Sequence, residues 1–133
     1  MGLFFSKLKY VWLKENINTE NVVVSIPDYC CAHERKALIE SIEIGVLNCT
    51  ALLNESSAIT LSYFLRNLEE FDEEKPRTVA FVDLGHSSCN IFFSQFTKKL
   101  SKVISDSSER FCGGREFDYL IANRLVDDFK KKI

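Results

Sequence analysis

A chain of 133 residues, 46% hydrophobic and 27% charged, has the composition of one globular domain with a moderate core, which excludes a disordered segment or two full-sized domains. Its net charge is −2, with Lys and Arg scattered among Asp and Glu, so it lacks the basic stripe that a nucleic-acid partner selects. No run approaches the roughly 20 apolar residues of a membrane span, and no membrane partner is expected.

In chain order, Leu3 to Lys14 places Leu3, Phe4, Leu8, Val11 and Trp12 at helical spacing, although Phe4, Phe5 and Trp12 have no obvious partner nearby in sequence. Asn16 to Asn21 is polar and turn-like. Val22 to Ile26 is a short apolar run stopped by Pro27, the mark of a buried strand. His33 to Ile44 returns to helical spacing and meets Gly45, a natural terminator. Val46 to Leu53 reads as a second buried strand and Glu55 to Leu68 as a helix. The acidic stretch Glu69 to Lys75, closed by Pro76, predicts a hinge or a lobe boundary. Thr78 to Asp83, Cys89 to Phe96 and Leu100 to Ile104 then read as strands, with Thr97, Lys98 and Lys99 as a turn. Gly113-Gly114 opens a final helix from about Arg115 to Lys131, apolar along Phe117, Leu120, Ile121, Leu125, Val126 and Phe129. Lys130-Lys131-Lys132 complements its C-terminal dipole.

The five cysteines, Cys30, Cys31, Cys49, Cys89 and Cys112, are odd in number and contain no C-x-x-C pair. Neither a disulfide framework nor a zinc site follows, and a reducing, cytoplasmic setting fits best. Met1-Gly2-Leu3-Phe4-Phe5-Ser6 matches a myristoylation pattern, but a helix start accounts for the same residues.

Chemistry concentrates between Val79 and Phe92. Two strand-like runs are joined there by a turn containing Asp83, Gly85, His86, Ser87 and Ser88. Gly permits close backbone approach, turn amides can point at anionic oxygens, and a carboxylate can hold a hydrated cation. The plain alternative is a hairpin with an Asp at its strand end. Gly113-Gly114 at a helix head suits either a phosphate on free amides or a tight strand-to-helix turn.

Several segments together resemble the nucleotide-binding domain of the DnaK-type, seventy-kilodalton heat-shock chaperones, from about Phe5 to Lys132. Val22-Val23-Val24-Ser25-Ile26-Pro27-Asp28-Tyr29 is similar to that family's strand-then-Pro segment, with Glu34-Arg35 following. Gly45-Val46-Leu47-Asn48 and Asn54-Glu55-Ser56-Ser57-Ala58 resemble its "GLN…NEPTAA" stretch. Phe81-Val82-Asp83-Leu84-Gly85 resembles its second phosphate loop, and Cys112-Gly113-Gly114-Arg115-Glu116-Phe117-Asp118 its "LGGEDFD" helix start. The loop here continues Gly85-His86-Ser87-Ser88-Cys89-Asn90 where the family has "GGGTFD". That change, and Glu73-Glu74-Lys75-Pro76-Arg77, look like the larger, hundred-and-ten-kilodalton branch of nucleotide-exchange factors. Ser56 stands where the family usually has Pro.

The resemblance implies an α/β, actin-like (ribonuclease-H-like) fold: a β-α-β-α unit followed by an antiparallel hairpin, a strand and a helix. Residues 1–75 would belong to a first lobe and 76–133 to a second, together one partial nucleotide-binding domain. The implied ligands are ATP or ADP with Mg2+, and the implied function is that of a stress-response chaperone or exchange factor. Glu55 and Asp83 would carry catalysis, Asp83 holding the metal through water. Gly85, His86, Ser87, Ser88, Gly113 and Gly114 would line the phosphates, and Pro27 with Arg35 would pass nucleotide state to another domain. Implied partners are ATP, other DnaK-type chaperones and, through domains beyond these residues, unfolded clients. The family's first phosphate hairpin and catalytic Lys have no counterpart here, so the isolated chain is expected not to turn ATP over. Uncovered strand edges and apolar residues predict a homodimer. The competing reading is a non-catalytic interaction module that retains the fold.

Overall fold

A computed structural model describes residues 1–17 and 20–131. Asn18 and Thr19 of the expected turn, and Lys132 of the basic helix end, lie outside the described residues. The elements are α1 (Gly2–Lys14), β1 (Asn21–Ile26), α2 (Ala32–Ile44), β2 (Asn48–Asn54), α3 (Glu55–Arg66), a single 3-10 turn (Leu68–Glu70), β3 (Arg77–Leu84), β4 (Ser88–Thr97), β5 (Leu100–Arg110) and α4 (Gly114–Lys130). They form two compact units, Met1–Ala58 and Ile59–Ile133, the division falling inside α3.

In the first unit, β1 and β2 pair in parallel and α2 makes the crossover between them, the β-α-β arrangement expected from the sequence. The register runs from Asn21↔Asn48 to Ile26↔Asn54, with Thr50 of β2 as an extra residue opposite Val22 and Val23. Val22 and Val24 point to one face, where Phe5, Ile42 and Leu47 form the core with Leu8, Trp12, Leu38 and Cys49 around them. Phe5 and Trp12 therefore do have partners. They come from α2 and from the residue before β2, a long-range contact that local spacing cannot reveal.

Gly45 ends α2, but with an ordinary φ of −72°. Its lack of a side chain matters for space: a Cβ there would overlap the Cβ of Phe5. The left-handed residue that turns the chain out of α2 is Val46, at φ 61°.

In the second unit, β3, β4 and β5 form an antiparallel sheet in that order. β4 alternates strictly. Asn90, Phe92, Ser94 and Phe96 are buried, while Ile91 and Phe93 are exposed. Phe92 and Phe96 are fully buried at 0% exposure, so they anchor an aromatic cluster in which Phe96 stacks on Phe71 at 5.0 Å and Phe92 on Phe81 at 4.8 Å. Tyr63 of α3 packs edge-on against Phe81, and Thr60 shares a buried 2.6 Å hydrogen bond with Ser94. The acidic stretch is tied down as part of this unit. Asp72 accepts from the amides of Glu74 and Lys75, its carbonyl accepts from the Lys98 amide at 2.9 Å, and Glu73 pairs with Lys99.

β5 runs to Arg110, well past the Ile104 at which its apolar pattern stops. The added Ser105–Arg110 segment is polar because it lines a sheet edge, where charge and hydroxyls discourage further pairing. No helix among the described residues is long and apolar enough to cross a membrane.

Candidate functional site

The turn between β3 and β4 is held from outside the hairpin. β3–β4 pairing ends at Leu84↔Cys89, and the Gly85 N–H then donates to the Ser88 carbonyl at 2.9 Å. The remaining turn carbonyls accept from residues that follow β5. Ser87 O takes the Phe111 N–H at 2.9 Å, Gly85 O takes the Gly114 N–H at 3.0 Å, and His86 O takes the Arg115 N–H at 2.8 Å. With its carbonyls drawn toward the head of α4, the turn leaves the amides of His86 and Ser87 with no internal acceptor among the described residues. Asp83, Gly85, His86 and Ser87 are exposed, and Ser88 is half-buried. His86 does not adopt a left-handed backbone, so an imidazole-bearing residue sits in this turn without conformational strain.

Gly113 makes the clamp possible. Its φ is −161°, a conformation open to any residue, but a Cβ would lie 2.5 Å from the His86 carbonyl oxygen and 2.7 Å from that of Gly85. Only a glycine lets the helix start approach the turn backbone this closely. The amides of Gly113 and Gly114 both have acceptors inside the chain: Gly113 donates to Glu116 Oε2 at 2.9 Å and Gly114 to Gly85. Burial presses the Glu116 carboxyl upward, but the Arg115 guanidinium at 2.9 Å and the Gly113 amide outweigh it and hold the group below the usual glutamate range. Phe111, at φ 63°, makes the sharp exit from β5, and the Arg115 guanidinium lies over its ring at 5.8 Å. Sequence reading missed Phe111 and Arg115, because nothing local in FCGGRE announces a contact with His86.

The other candidates belong to the first unit, at the carboxyl ends of its parallel strands, where ligands commonly bind in open α/β sheets. Glu55 is the first residue of α3 and half-buried. Its neighbours are fixed on both sides. Asn54 Oδ1 accepts from Arg35 Nη2 at 2.9 Å, and Ser56 donates its amide (3.0 Å) and hydroxyl (2.5 Å) to the Asp28 carboxylate. Arg35 also donates through Nε to the Cys30 carbonyl at 3.0 Å, and the Cys30 amide donates to Pro27 O. Pro27 and Arg35 thus share one hydrogen-bonded turn that reaches the residue before Glu55. Arg35 is partly buried. Asp28 and Asn54 were not singled out from sequence; the signal available was a carboxylate just after Pro27 facing a helix start rich in N–H and O–H donors.

Among the described residues, no three His, Cys, Asp or Glu side chains gather into a metal-holding group. Asp83 could contribute one carboxylate to a hydrated cation, and the open His86 and Ser87 amides with the Ser87 and Ser88 hydroxyls fit anionic oxygens. The residues present therefore suit a phosphate and its hydrated metal.

Comparison with known proteins gives the same direction. Residues 4–133 match a family profile described as Hsp70 protein. The 97 kDa heat shock protein of Strongylocentrotus purpuratus is 38% identical over 111 residues, which are 83% of this chain and 12% of that protein. Heat shock 70 kDa protein 4L of Homo sapiens is 35% identical over 136 residues, covering 98% of this chain and 16% of that protein. Heat shock 70 kDa protein 4 of Rattus norvegicus is 37% identical over 112 residues, covering 83% of this chain and 13% of that protein. The chain spans less than a fifth of the length of each of these relatives.

Proposed function

Because this chain belongs to the Hsp70 family, near its hundred-and-ten-kilodalton branch, we propose that it is part of the ATP-binding domain of a chaperone or chaperone nucleotide-exchange factor. One observation carries the reading: an exposed Asp-Leu-Gly-His-Ser-Ser turn whose carbonyls are engaged while the His86 and Ser87 amides stay open. An oxygen-rich anion is what such a turn can receive.

In this reading the His86 and Ser87 N–H groups and the Ser87 and Ser88 hydroxyls donate to phosphate oxygens, and Asp83 holds a metal-bound water. Mg-ATP, when bound, supplies the phosphoanhydride whose cleavage the complete domain would time. Gly113 and Gly114 serve by fixing the turn, since their own amides are engaged. Glu55 is held ready to orient a water by the Asn54–Arg35 and Ser56–Asp28 bonds on either side of it. The link from Pro27 through Cys30 to Arg35 is the route by which the state of that strand end would reach another domain. Clients and DnaK-type partners belong to the same proposal, and five cysteines outside any disulfide suit a reducing cytoplasm.

The test is a titration of the isotope-labelled chain with Mg-ATP, followed by amide NMR and phosphate release. Weak binding is expected, with the perturbed amides centred on His86 and Ser87 and no turnover. Gly113→Ala should abolish that perturbation while α4 stays helical. If residues 83–88 do not respond even at high millimolar nucleotide, the loop is no cradle and the interaction-module reading takes over. Micromolar affinity or measurable hydrolysis would overturn the expectation of an inactive isolated chain.

A further inference from the structure

The charge beside the β3–β4 turn carries an inference that rests on residues 83–88 being an anion cradle. Three positions there depart from the family pattern, and all three move in the same direction. His86 brings a basic ring where the pattern has Gly. Asn90, the cross-strand partner of Asp83, is neutral where the pattern has Asp. Arg115 reverses the charge of the Glu that follows the two glycines in the pattern's helix start. An oxygen-rich anion at the turn therefore meets less repulsion here, and one new cation.

That cation is close. The Arg115 N–H donates to the His86 carbonyl at 2.8 Å, and the Ser87 N–H is the opposite end of the same planar peptide. The amide that receives the anion thus lies one peptide width beyond an oxygen that Arg115 holds, inside the screening length of about 10 Å at 0.1 M salt. The guanidinium is occupied elsewhere. Its Nε and Nη2 both donate to Glu116 Oε1, at 3.0 and 2.9 Å, and it lies over the Phe111 ring at 5.8 Å. The two side chains are 49% and 32% exposed, and an ion pair so open to water is weakly held. Glu116 is also tied through Oε2 to the Gly113 N–H at 2.9 Å, so Arg115 is the partner free to move.

We propose that Arg115 sets the affinity of this turn for polyphosphate, its guanidinium leaving Glu116 for the anion, and that Glu116 is the restraint that holds it back while the turn is empty. A polyphosphate tail carries several negative charges against the single one of Glu116, and its oxygens suit the guanidinium fork. The two neighbours therefore act with opposite signs. Removing the charge of Arg115 weakens anion binding, and removing the charge of Glu116 strengthens it. A pair that only stabilised the head of α4 would weaken binding when either member was lost.

The probe is inorganic tripolyphosphate with EDTA, so that charge is read without a metal or a nucleoside, titrated into the isotope-labelled 133-residue chain. Arg115→Gln and Arg115→Glu keep the N–H that clamps His86, and both residues suit a first helical turn. Glu116→Gln keeps an oxygen for the Gly113 N–H. The Kd read from the His86 and Ser87 amides should rise about fivefold in Arg115→Gln and about tenfold or more in Arg115→Glu, and fall about threefold in Glu116→Gln, at unchanged circular dichroism. The Arg115 Nε–H signal should shift in step with those amides, and the differences should shrink at 1 M salt, where the screening length is about 3 Å. Should Arg115→Glu lose helix, the opposite signs of Arg115→Gln and Glu116→Gln carry the same test. Equal affinity in all the variants overturns the proposal and leaves the cradle standing. Weakening by Glu116→Gln as well as Arg115→Gln overturns it in favour of a structural pair. Weakening by Arg110→Gln, with Arg115→Gln unaffected, overturns it by moving the charge to the end of β5. A response to Mg-ATP but none to tripolyphosphate also overturns it, whereas silence of His86 and Ser87 toward both removes the cradle and the proposal together.

Discussion

Val46 holds a left-handed backbone (φ 61°) on a β-branched residue, an arrangement that costs about 1–2 kcal/mol relative to glycine. It persists because its neighbours fix it. The Val46 amide donates to Glu43 O at 2.8 Å, Leu47 closes back on Ile42 O, and Lys9 Nζ donates to the Val46 carbonyl at 2.8 Å. The side chain itself is exposed and contributes little packing. Val46→Gly or Val46→Asn should therefore stabilise the chain by roughly 1 kcal/mol, with Asn avoiding glycine's extra unfolded-state entropy. Denaturant unfolding checks this, and a loss of stability in both variants would show that the Val46 side chain does contribute packing. The same scale accounts for Ser56. A proline at this position has no N–H, whereas Ser56 donates both an N–H and an O–H to Asp28 and so caps α3 from the end of β1. Relative to the family pattern, the substitution adds a tie between the two strand ends beside Glu55.

Within Glu69 to Lys75, where composition suggests a hinge or lobe boundary, a turn is held on the Asp72 carboxylate. The amides of Glu74 and Lys75, with Lys98 nearby, hold the Asp72 carboxyl below the usual aspartate range against a small opposing effect of burial. A depressed carboxyl contributes stability in full above its unfolded value and loses that contribution as pH falls through the folded one. Asp72→Asn should accordingly lower the melting temperature at neutral pH, with the gap to the parent chain closing below the carboxylate range. A gap that persists at acid pH would assign the effect to packing instead of charge. Such ties mark where sequence reading stopped. Each helix and strand was visible in the pattern of apolar residues, as alternation in β4, as stripes in α1, α2 and α3, and as short continuous runs in β1 and β2. The last six residues of β5 were not, since Ser105–Arg110 is placed by pairing with β4 and is polar along an edge. The candidate turn was legible from Asp83, Gly85, His86, Ser87 and Ser88 only together with the motifs around it, since an Asp and a Gly near a bend also suit a plain hairpin. Its clamp was not: Gly113 meets His86 only after the chain has run the full length of β4 and back along β5, and no local pattern encodes that approach.

On the scale of the whole chain, apolar surface is unevenly covered. The first unit buries Phe5, Ile42 and Leu47, and the second buries its aromatic cluster, but α4 presents Phe117, Leu120, Ile121, Leu125, Val126 and Phe129 to solvent. A stripe of that size on one helix face marks a surface meant to be covered. Relatives of which this chain spans 12 to 16% have the additional length to cover it. Leu120 and Leu125 are each 64% exposed, so neither supplies much of the folding energy here. Leu120→Lys with Leu125→Lys should change stability by less than about 0.5 kcal/mol per site while lowering the binding of an apolar dye. Melting curves and dye fluorescence read the two effects separately. A large destabilisation would mean that this face is packed in the folded chain, and the surface available to a covering segment would then have to be sought elsewhere.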